Sequence, residues 1–545
     1  MRKNRRIYAI ILSMLLLVGL SACAGQNKPW ESGNNDPSAP SDTTGDQGST
    51  PVTETLVIGS GTAITTLDTN QEAGIINYYI TALVSEGLVA VDNTGAIVPG
   101  LATDWTTEDY KTWRFTIRSD ATFSDGSPVT VDDIIWSIQR AMDPVQSPGV
   151  VFYFPDDIES VTKIDDTTLE IVKTNAQPSF IWAVANIGGL FVTSQAWAES
   201  VDTIGSTTNL IVGSGPYKVT EFVAGSHVTL EARDDWWGGD VALRNIRFEF
   251  ITDDSTRLLA FTQGDINFAL NIPVELTDQW QAVQGANILF YADKSYYGLS
   301  LDETVEHFDN VHLRRAINLA IDRQGIIDSV LQGHGVAATT ITPPEQFASI
   351  MSVDEARAKL SSLTYYEFNM EEAKSEFEQS GVGPFTTTLT YPDSFPAVGK
   401  ASLVIADSLA QLGITVQVTE IPFDQWLNEI GNGQNGMDWM IYFPTTGEPI
   451  EIASWLLAGG GPGTNPANFT NQDIADLIQS AFVQSAQDGL DEMLLAHELA
   501  AQQAYYAPVW WGQSAIATPG TMTLNNFNTY TMLSQNWPSI ISFSN

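Results

Sequence analysis

This chain of 545 residues contains a single cysteine. One thiol cannot form a disulfide bond within the chain, and it cannot build the paired-cysteine motifs that bind zinc or carry redox chemistry. Histidine is also scarce, with five residues. His497 and Glu498 begin a zinc-protease pattern, but the second histidine that completes it is missing. His307 and His312 could together contact one metal ion, but two exposed loop histidines are the interpretation we favour. We predict no metal and no cofactor.

Basic residues are few as well. The chain has 24 lysines and arginines against 65 acidic residues, which gives a formal net charge of -41. Such a charge repels the phosphates of nucleic acids and of anionic lipids, so both are disfavoured as direct partners. The charge keeps the protein soluble but does not identify a ligand.

The motifs of common enzymes are absent. The sequence has no Gly-x-Ser-x-Gly nucleophile motif and no Gly-x-x-x-x-Gly-Lys-Ser/Thr phosphate loop. Neighbouring acidic pairs such as Asp132 and Asp133 point in different directions on a helix or strand, so we interpret them as helix caps, turns and solvated faces. The sequence therefore predicts a protein that is not an enzyme, with no catalytic residues.

The N-terminus has the pattern of a secretory signal. Four cations in residues 2–6 precede an apolar run over residues 7–20. This run is shorter than a helix that spans a bilayer comfortably. The sequence Leu20-Ser21-Ala22-Cys23 then looks like a lipobox, in which the cysteine is lipidated and becomes the new N-terminus. We predict a lipoprotein signal peptide over residues 1–22 and a lipid anchor at Cys23.

The segment after the anchor lacks the residues that build a core. Residues 23–53 consist mainly of Gly, Ser, Thr, Asp, Asn and Pro, with almost no large apolar side chain. Such a composition cannot bury enough surface to fold. We predict a flexible tether here, which implies that the protein works at the outer face of a membrane.

The rest of the chain has the patterns of an α/β protein. It is too long for one core, so two or three lobes are expected. Residues 113–118 alternate like a strand, and residues 310–332 have the apolar spacing of one amphipathic helix. A helix over residues 401–412, ended by Gly413, precedes a strand over residues 414–418. This helix-glycine-strand unit is typical of α/β lobes.

A series of short motifs then occurs in a fixed order between about residues 56 and 515. They are Thr66-Leu67-Asp68, Glu86-Gly87-Leu88, residues 99–105, residues 123–133 with their continuation to Arg140, Gly215-Pro216-Tyr217, residues 235–239, residues 313–323 and Ala507-Pro508-Val509-Trp510. In this order they resemble extracellular solute-binding protein family 5, the peptide- and nickel-binding component of ATP-binding-cassette importers.

This resemblance implies a periplasmic-binding-protein-like fold of type II, in its large three-lobed variant. Two main lobes enclose a ligand cleft at the hinge. The implied first lobe comprises residues 54–97, 213–295 and 511–545. The smaller second lobe is residues 98–212, and the third lobe is residues 296–510. We use these three names for these residue ranges below.

The resemblance also implies where a ligand binds. Members of the family hold an extended ligand between the lobes with backbone groups, aromatic walls and a few charges. Two segments are candidates, residues 70–74 and the segment from Asp438 to Pro449, which leads to Trp455. The candidate ligand-binding residues are Glu72, Trp439, Tyr442, Thr445, Gly447, Glu448 and Trp455. For Trp439 and Trp455, a position in the core between the lobes is an equally good interpretation.

One position departs from the family pattern. Peptide binders of the family carry an Asp before a Gly-Asp-Pro-like turn, where it pairs with the amino terminus of the ligand. Gly447-Glu448-Pro449 matches the turn, but Thr445 stands where the Asp is expected. A hydroxyl cannot replace a buried carboxylate opposite an ammonium group. Glu448 or Glu72 could take over this role, or the ligand could be a different solute.

The function implied by the resemblance is capture of a solute, an oligopeptide or dipeptide, and its delivery to the permease of an ATP-binding-cassette importer. The alternatives are a non-peptide solute such as a glycan fragment or a metal chelate, or a sensor or chaperone-like receptor of the same fold. We expect a monomer at the outer face of the cytoplasmic membrane, attached only through its lipid anchor.

Overall fold

A computed structural model describes residues 52–151, 154, 157–241, 243–430, 435–458 and 465–544. The predicted signal peptide, Cys23 and all but the end of the predicted tether lie outside these residues. Within the described residues, no helix is both long enough and apolar enough to cross a membrane.

The described residues form nineteen strands and fifteen α-helices. The strands are β1 (Val52–Ser60), β2 (Val89–Val91), β3 (Ile97–Pro99), β4 (Ala102–Thr106), β5 (Thr112–Ile117), β6 (Ile158–Asp165), β7 (Thr168–Lys173), β8 (Tyr217–Val223), β9 (His227–Ala232), β10 (Leu243–Phe250), β11 (Phe268–Ile272), β12 (Ala286–Leu301), β13 (Val336–Ala337), β14 (Phe385–Pro392), β15 (Ile414–Ile421), β16 (Met437–Tyr442), β17 (Tyr506–Pro519), β18 (Met522–Leu524) and β19 (Ile541–Phe543).

The helices alternate with these strands. They are α1 (Ile75–Val84), α2 (Val131–Met142), α3 (Phe180–Ala183), α4 (Gln195–Ala198), α5 (Asp254–Gln263), α6 (Thr277–Gln281), α7 (Val311–Ala320), α8 (Arg323–Val330), α9 (Val353–Leu360), α10 (Met370–Ser380), α11 (Pro396–Ala410), α12 (Phe423–Glu429), α13 (Ile450–Leu457), α14 (Gln472–Phe482) and α15 (Leu490–Gln502). The fold is the α/β arrangement that the sequence predicts.

The largest sheet runs through the first and third lobes. Eight of its nine strands follow the order β16-β12-β17-β11-β1-β10-β9-β8, and β13 pairs with β17. The long antiparallel pair β12 and β17 is its centre, with partners from Ala286 opposite Pro519 to Ser300 opposite Tyr506. One half of each strand therefore lies in the first lobe and the other half in the third.

The register of the pairing between β12 and β17 shifts at two places, between Ala292 and Tyr296 and between Tyr297 and Gly298. At the first, the residues between Ala292 and Tyr296 form a bulge. Lys294 lies in the bulge with φ of 68°, in the left-handed region that non-glycine residues rarely adopt. Asp293 holds the bulge by accepting hydrogen bonds from the backbone N–H of Ser295, at 3.0 Å, and from its hydroxyl.

The hydrophobic cores do not follow the lobe boundaries one by one. The largest cluster contains Leu56 and Ile58 of the first lobe together with Phe115 and Ile134 of the second. Two other clusters belong mainly to the third lobe, and a smaller one packs α5 and α6 against the large sheet. The first and second lobes thus share one core, and the lobe boundaries themselves stay a prediction.

The third lobe contains the predicted helix-glycine-strand unit. Helix α11 is followed by Gly413, whose φ of 88° turns the chain into β15. The single helix predicted over residues 310–332 is wrong, because it is split into α7 and α8. Asp322 starts the second helix by accepting a hydrogen bond from the N–H of Gly325, at 2.9 Å. Arg323 donates to the carbonyls of Asn318 and Ile321, which a continuous helix would use.

A buried carboxylate ties the end of the chain to the first lobe. Glu86 is completely buried, and it accepts hydrogen bonds from the indoles of Trp236 and Trp237 and from the amide of Gln535. The guanidinium of Arg118 lies 3.2 Å from the centre of the Trp237 ring. Burial raises the pKa of the Glu86 carboxyl to about 7, although the indole hydrogen bonds lower it.

We expect Glu86 to make stability depend on pH. Its carboxyl binds a proton more tightly in the folded protein than in the unfolded chain, where its pKa is 4.5. Its contribution to the free energy of unfolding is therefore greatest below pH 4.5 and falls as the pH rises through about 7. Glu86→Gln removes this titration and keeps an oxygen acceptor for the indoles. As the pH rises from 4.5 to above about 7, the free energy of unfolding of the variant should increase relative to that of the wild type by up to about 3 kcal/mol.

Urea denaturation of both proteins at about pH 4.5 and about pH 7.5 measures this difference. The exposed Glu108 gives a matched control, because Glu108→Gln should leave the pH dependence unchanged. A parallel pH dependence of the wild type and Glu86→Gln would contradict the prediction.

Candidate ligand-binding site between the lobes

The segment between β16 and α13 is held together by one carboxylate. Glu451 accepts five hydrogen bonds: from the hydroxyl of Tyr442 at 3.2 Å, from the backbone N–H and hydroxyl of Thr445 at 2.8 and 3.0 Å, and from the same two groups of Thr446 at 2.8 and 2.6 Å. Glu451 lies in the first turn of α13, where the helix dipole also favours an anion. These bonds fix the path of the chain in front of the helix.

A hydrogen bond joins the second lobe to this segment. The indole Nε1 of Trp182 donates to Oε1 of Glu448 at 2.6 Å. Gly447 packs against the same indole so closely that a Cβ there would lie 2.5 Å from its ring. Burial raises the pKa of Glu448, against the indole bond that lowers it. The second and third lobes are therefore in direct contact at Gly447 and Glu448.

The bulge in β12 places a lysine beside the segment between β16 and α13. Lys294 has an exposed fraction of 4%. Its Nζ donates to the carbonyl of Thr446 at 3.3 Å and lies 4.5 Å from the centre of the Tyr530 ring. Burial lowers the pKa of Lys294 to about 8, although the charges of Glu451 and Asp293 raise it.

We call these side chains the interlobe cluster. Its members are Trp182, Asp293, Lys294, Glu345, Tyr442, Glu448, Glu451 and Tyr530. The Tyr530 hydroxyl donates to the backbone carbonyl of Glu345 at 3.3 Å, which is a further contact between the first and third lobes.

Several members of the cluster are only partly covered by the surrounding protein. Glu345, Tyr442 and Glu448 each keep part of their surface accessible. Burial nevertheless raises the pKa of all three side chains. They lie where segments of the three lobes meet, and we interpret this position as the wall of the ligand cleft that the family resemblance implies. Charged and aromatic groups of this kind suit a polar solute.

The predicted site residues divide into two groups. Tyr442, Thr445, Gly447 and Glu448 come together around Glu451, as described above. Trp455 is half-buried on α13, the helix that carries Glu451.

Glu72 and Trp439 lie apart from this site. Glu72 accepts hydrogen bonds from the backbone N–H of Thr65, at 3.0 Å, and from its hydroxyl, and no bond in the described chain links it to residues 442–451. Trp439 is fully buried, and its indole donates to Ser402 at 2.8 Å within a third-lobe core. Its burial places the ring out of reach of a solute.

Sequence analysis did not select Glu451, Lys294, Trp182 or Tyr530. Glu451 had a usable signal, since a glutamate two residues after a proline can lie in the first turn of a helix, where it is well placed to bond the preceding segment. Lys294 also had a usable signal, because the charged pair Asp293-Lys294 interrupts a strand-like segment that is rich in aromatic residues. The positions of Trp182 and Tyr530 depend on the packing of distant segments, and nothing local in the sequence indicates them.

The sequence and the fold can be compared with those of known proteins. The family model described as "Bacterial extracellular solute-binding proteins, family 5 Middle" matches residues 96–464. The chain belongs to this family. Among family 5 relatives, the dipeptide-binding protein DppE of Bacillus subtilis is 24% identical over 549 residues, which cover 94% of each chain.

Solved structures have the same fold. The chain resembles the periplasmic binding protein DppA of Helicobacter pylori in complex with the peptide STSA, with a TM-score of 0.71, 21% identity and coverage of 91% of this chain and 99% of that one. It also resembles AgaA of A. tumefaciens R10 in complex with agropinic acid, with a TM-score of 0.70, 21% identity and coverage of 90% and 99%. At this identity the matches establish the type II periplasmic-binding-protein fold alone.

We expect the hydrogen bond between Trp182 and Glu448 to favour contact between the lobes. Trp182→Phe keeps an aromatic ring but removes the donor, which leaves the deep Glu448 carboxylate without it. Loss of such a bond to a charged group should weaken the contact by about 1.5–3 kcal/mol. Small-angle scattering of the unliganded variant should therefore give a larger radius of gyration than the wild type.

Trp197→Phe is the matched control, because Trp197 is a half-buried tryptophan elsewhere in the second lobe. It should leave the radius unchanged. A Trp182→Phe protein as compact as the wild type would show that the indole bond does not hold the lobes together.

Proposed function

We propose that this protein captures a peptide in the cleft between its lobes and delivers it to the permease of an ATP-binding-cassette importer. The observation that carries the proposal is the interlobe cluster, in which hydrogen bonds join polar groups of all three lobes. Membership of a solute-binding family supports the capture role. The names of the peptide-binding relatives support the ligand class.

Five of the predicted site residues have roles in this proposal. Glu448 faces the cleft with one side-chain hydrogen bond, to Trp182, so it retains acceptor capacity for an N–H group of the ligand. Tyr442 and Thr445 form the wall in front of Glu451. Gly447 brings the backbone of the third lobe close to the second. Trp455 follows on the same helix as Glu451, where its half-buried ring offers an aromatic surface.

A non-peptide solute is the second candidate. Thr445 directs its hydroxyl to Glu451 rather than offering a carboxylate of its own. Glu451 is in turn engaged by five donors of the protein, which leaves little capacity for a ligand ammonium group. The fold is also that of a protein solved with agropinic acid. A sensor or chaperone-like receptor would bind through the same cleft.

Peptide capture can be tested with the full chain after removal of the signal peptide. Native mass spectrometry of gently purified protein should reveal a retained peptide, and isothermal titration with di- to pentapeptides should give one bound ligand per chain. Peptides recovered after prolonged incubation should be intact, because we propose binding without catalysis. Retention of a non-peptide solute, with no peptide binding, would favour the second candidate, and cleaved peptides would contradict the absence of catalysis.

We also propose that Cys23 attaches the protein, as a monomer, to the outer face of the cytoplasmic membrane. Cys23→Ser should move it from the detergent phase to the aqueous phase in a phase-partition experiment, because the lipidated thiol is then absent. Ser38→Ala, in the predicted tether, is the matched control and should stay in the detergent phase. Continued detergent partitioning of Cys23→Ser would contradict a single lipid anchor.

A further inference from the structure

Lys294 is a buried amine whose donors are mostly unused. An ammonium group has three N–H donors, and the only hydrogen bond of Lys294 within the described chain goes to the carbonyl of Thr446. No carboxylate of the described residues lies within ion-pair distance of it. Burying a cation without a direct partner is unfavourable, so this position requires an explanation.

The nearby carboxylates do not provide the missing partner. Glu451 is bonded by the hydroxyls and amides of Tyr442, Thr445 and Thr446. Asp293 is bonded by Ser295 and by the hydroxyl of Ser514, at 2.8 Å. Both act on Lys294 through space, but neutral donors occupy their oxygens. The lysine therefore retains two N–H donors for another acceptor.

The position of this amine depends on an unusual backbone conformation. Lys294 lies in the β12 bulge with a left-handed φ, a strained conformation for a residue with a side chain. Bulges next to binding sites commonly redirect a side chain. Here the strain brings Nζ to Thr446 and Tyr530, between the first and third lobes.

A second unsatisfied group lies on a segment that packs against β12. The short 3-10 helix Pro344–Phe347 packs against β12. Its Gln346 is fully buried, and neither atom of its side-chain amide has a partner within the described chain. The preceding residue, Glu345, accepts the hydrogen bond from Tyr530, whose ring faces Lys294. Glu345 thus links this segment to the surroundings of Lys294, where polar capacity is left unused.

We infer that Lys294 determines specificity by binding a carboxylate group of the captured solute. The two free N–H donors match the oxygens of a carboxylate, and the burial of the amine makes this charge-assisted contact strong. The inference rests on the proposed function in assuming that the cleft receives a solute. It goes further in naming the chemical group and the residue that recognises it.

The experiment compares acids with their amides. Trialanine is paired with trialanine amide, which lacks its one carboxylate, and glutarate with glutaramide, which lacks both of its carboxylates. Isothermal titration should show the acid form binding the wild type about tenfold or more tightly than the amide. Lys294→Met, which fills the same space without the charge, should remove this preference. Lys400→Met is the matched control, because Lys400 is exposed on α11 in the third lobe.

The pH dependence gives a measurement on the wild type that does not depend on folding of the variant. The charged groups facing Lys294 are Asp293 and Glu451, with Tyr530 on its other side. Because its pKa is lowered to about 8, the preference for the acid should decrease above that pH as the amine loses its charge. A preference that persists unchanged to about pH 10 would overturn the role of Lys294.

The outcomes separate this inference from the proposed function. If peptides bind but acid and amide bind alike, or if Lys294→Met keeps the preference, the inference is wrong and peptide capture stands. If glutarate binds through Lys294 but neither glutaramide nor any peptide binds, the inference stands and the peptide assignment is wrong. If no carboxylate-bearing compound binds, both are overturned.

Discussion

The pairing of β12 with β17 is the constraint on which the rest of the molecule depends. The two strands pass together from the first lobe to the third, so each core is built against one half of the same ladder. Both shifts of register in that ladder lie where the first lobe meets the third. The bulge at residues 293–295 is the larger of the two. It supplies the buried amine of the interlobe cluster, and the pairing resumes at Tyr296 opposite Trp511.

The shortage of basic residues shapes the electrostatics of the cleft. The interlobe cluster contains four carboxyl groups and one amine, so most of its carboxylates cannot be paired with cations. Neutral donors take that role: hydroxyls and amides for Glu451, serines for Asp293 and an indole for Glu448. Glu345 is the exception, because the Nη2 atom of Arg357 lies 3.7 Å from its Oε1 atom and forms an ion pair with it. This arrangement keeps the one amine free of direct ion pairs.

The sequence predicts local features better than it predicts contacts. The helix over residues 401–412 and the strand after Gly413 follow from periodicity and a helix stop signal, both of which are local. The segment holding Thr445 and Glu448 follows from resemblance to the family. The partner Trp182 does not, since it is 266 residues from Glu448 and reaches it only through packing of the second lobe. The burial of Trp439 likewise depends on which face of β16 meets a core, and alternation alone cannot decide this.

The shared core of the first two lobes also has a consequence for biogenesis. Leu56 and Ile58, near the start of the described chain, pack in one cluster with Ile516, Trp537 and Ile541 near its end. Contacts between such distant segments form late, because loop closure must precede them. A chain emerging from its N-terminus cannot complete this core until the segment that contains Ile516, Trp537 and Ile541 has also been made. The fold thus delays its own completion until late in synthesis.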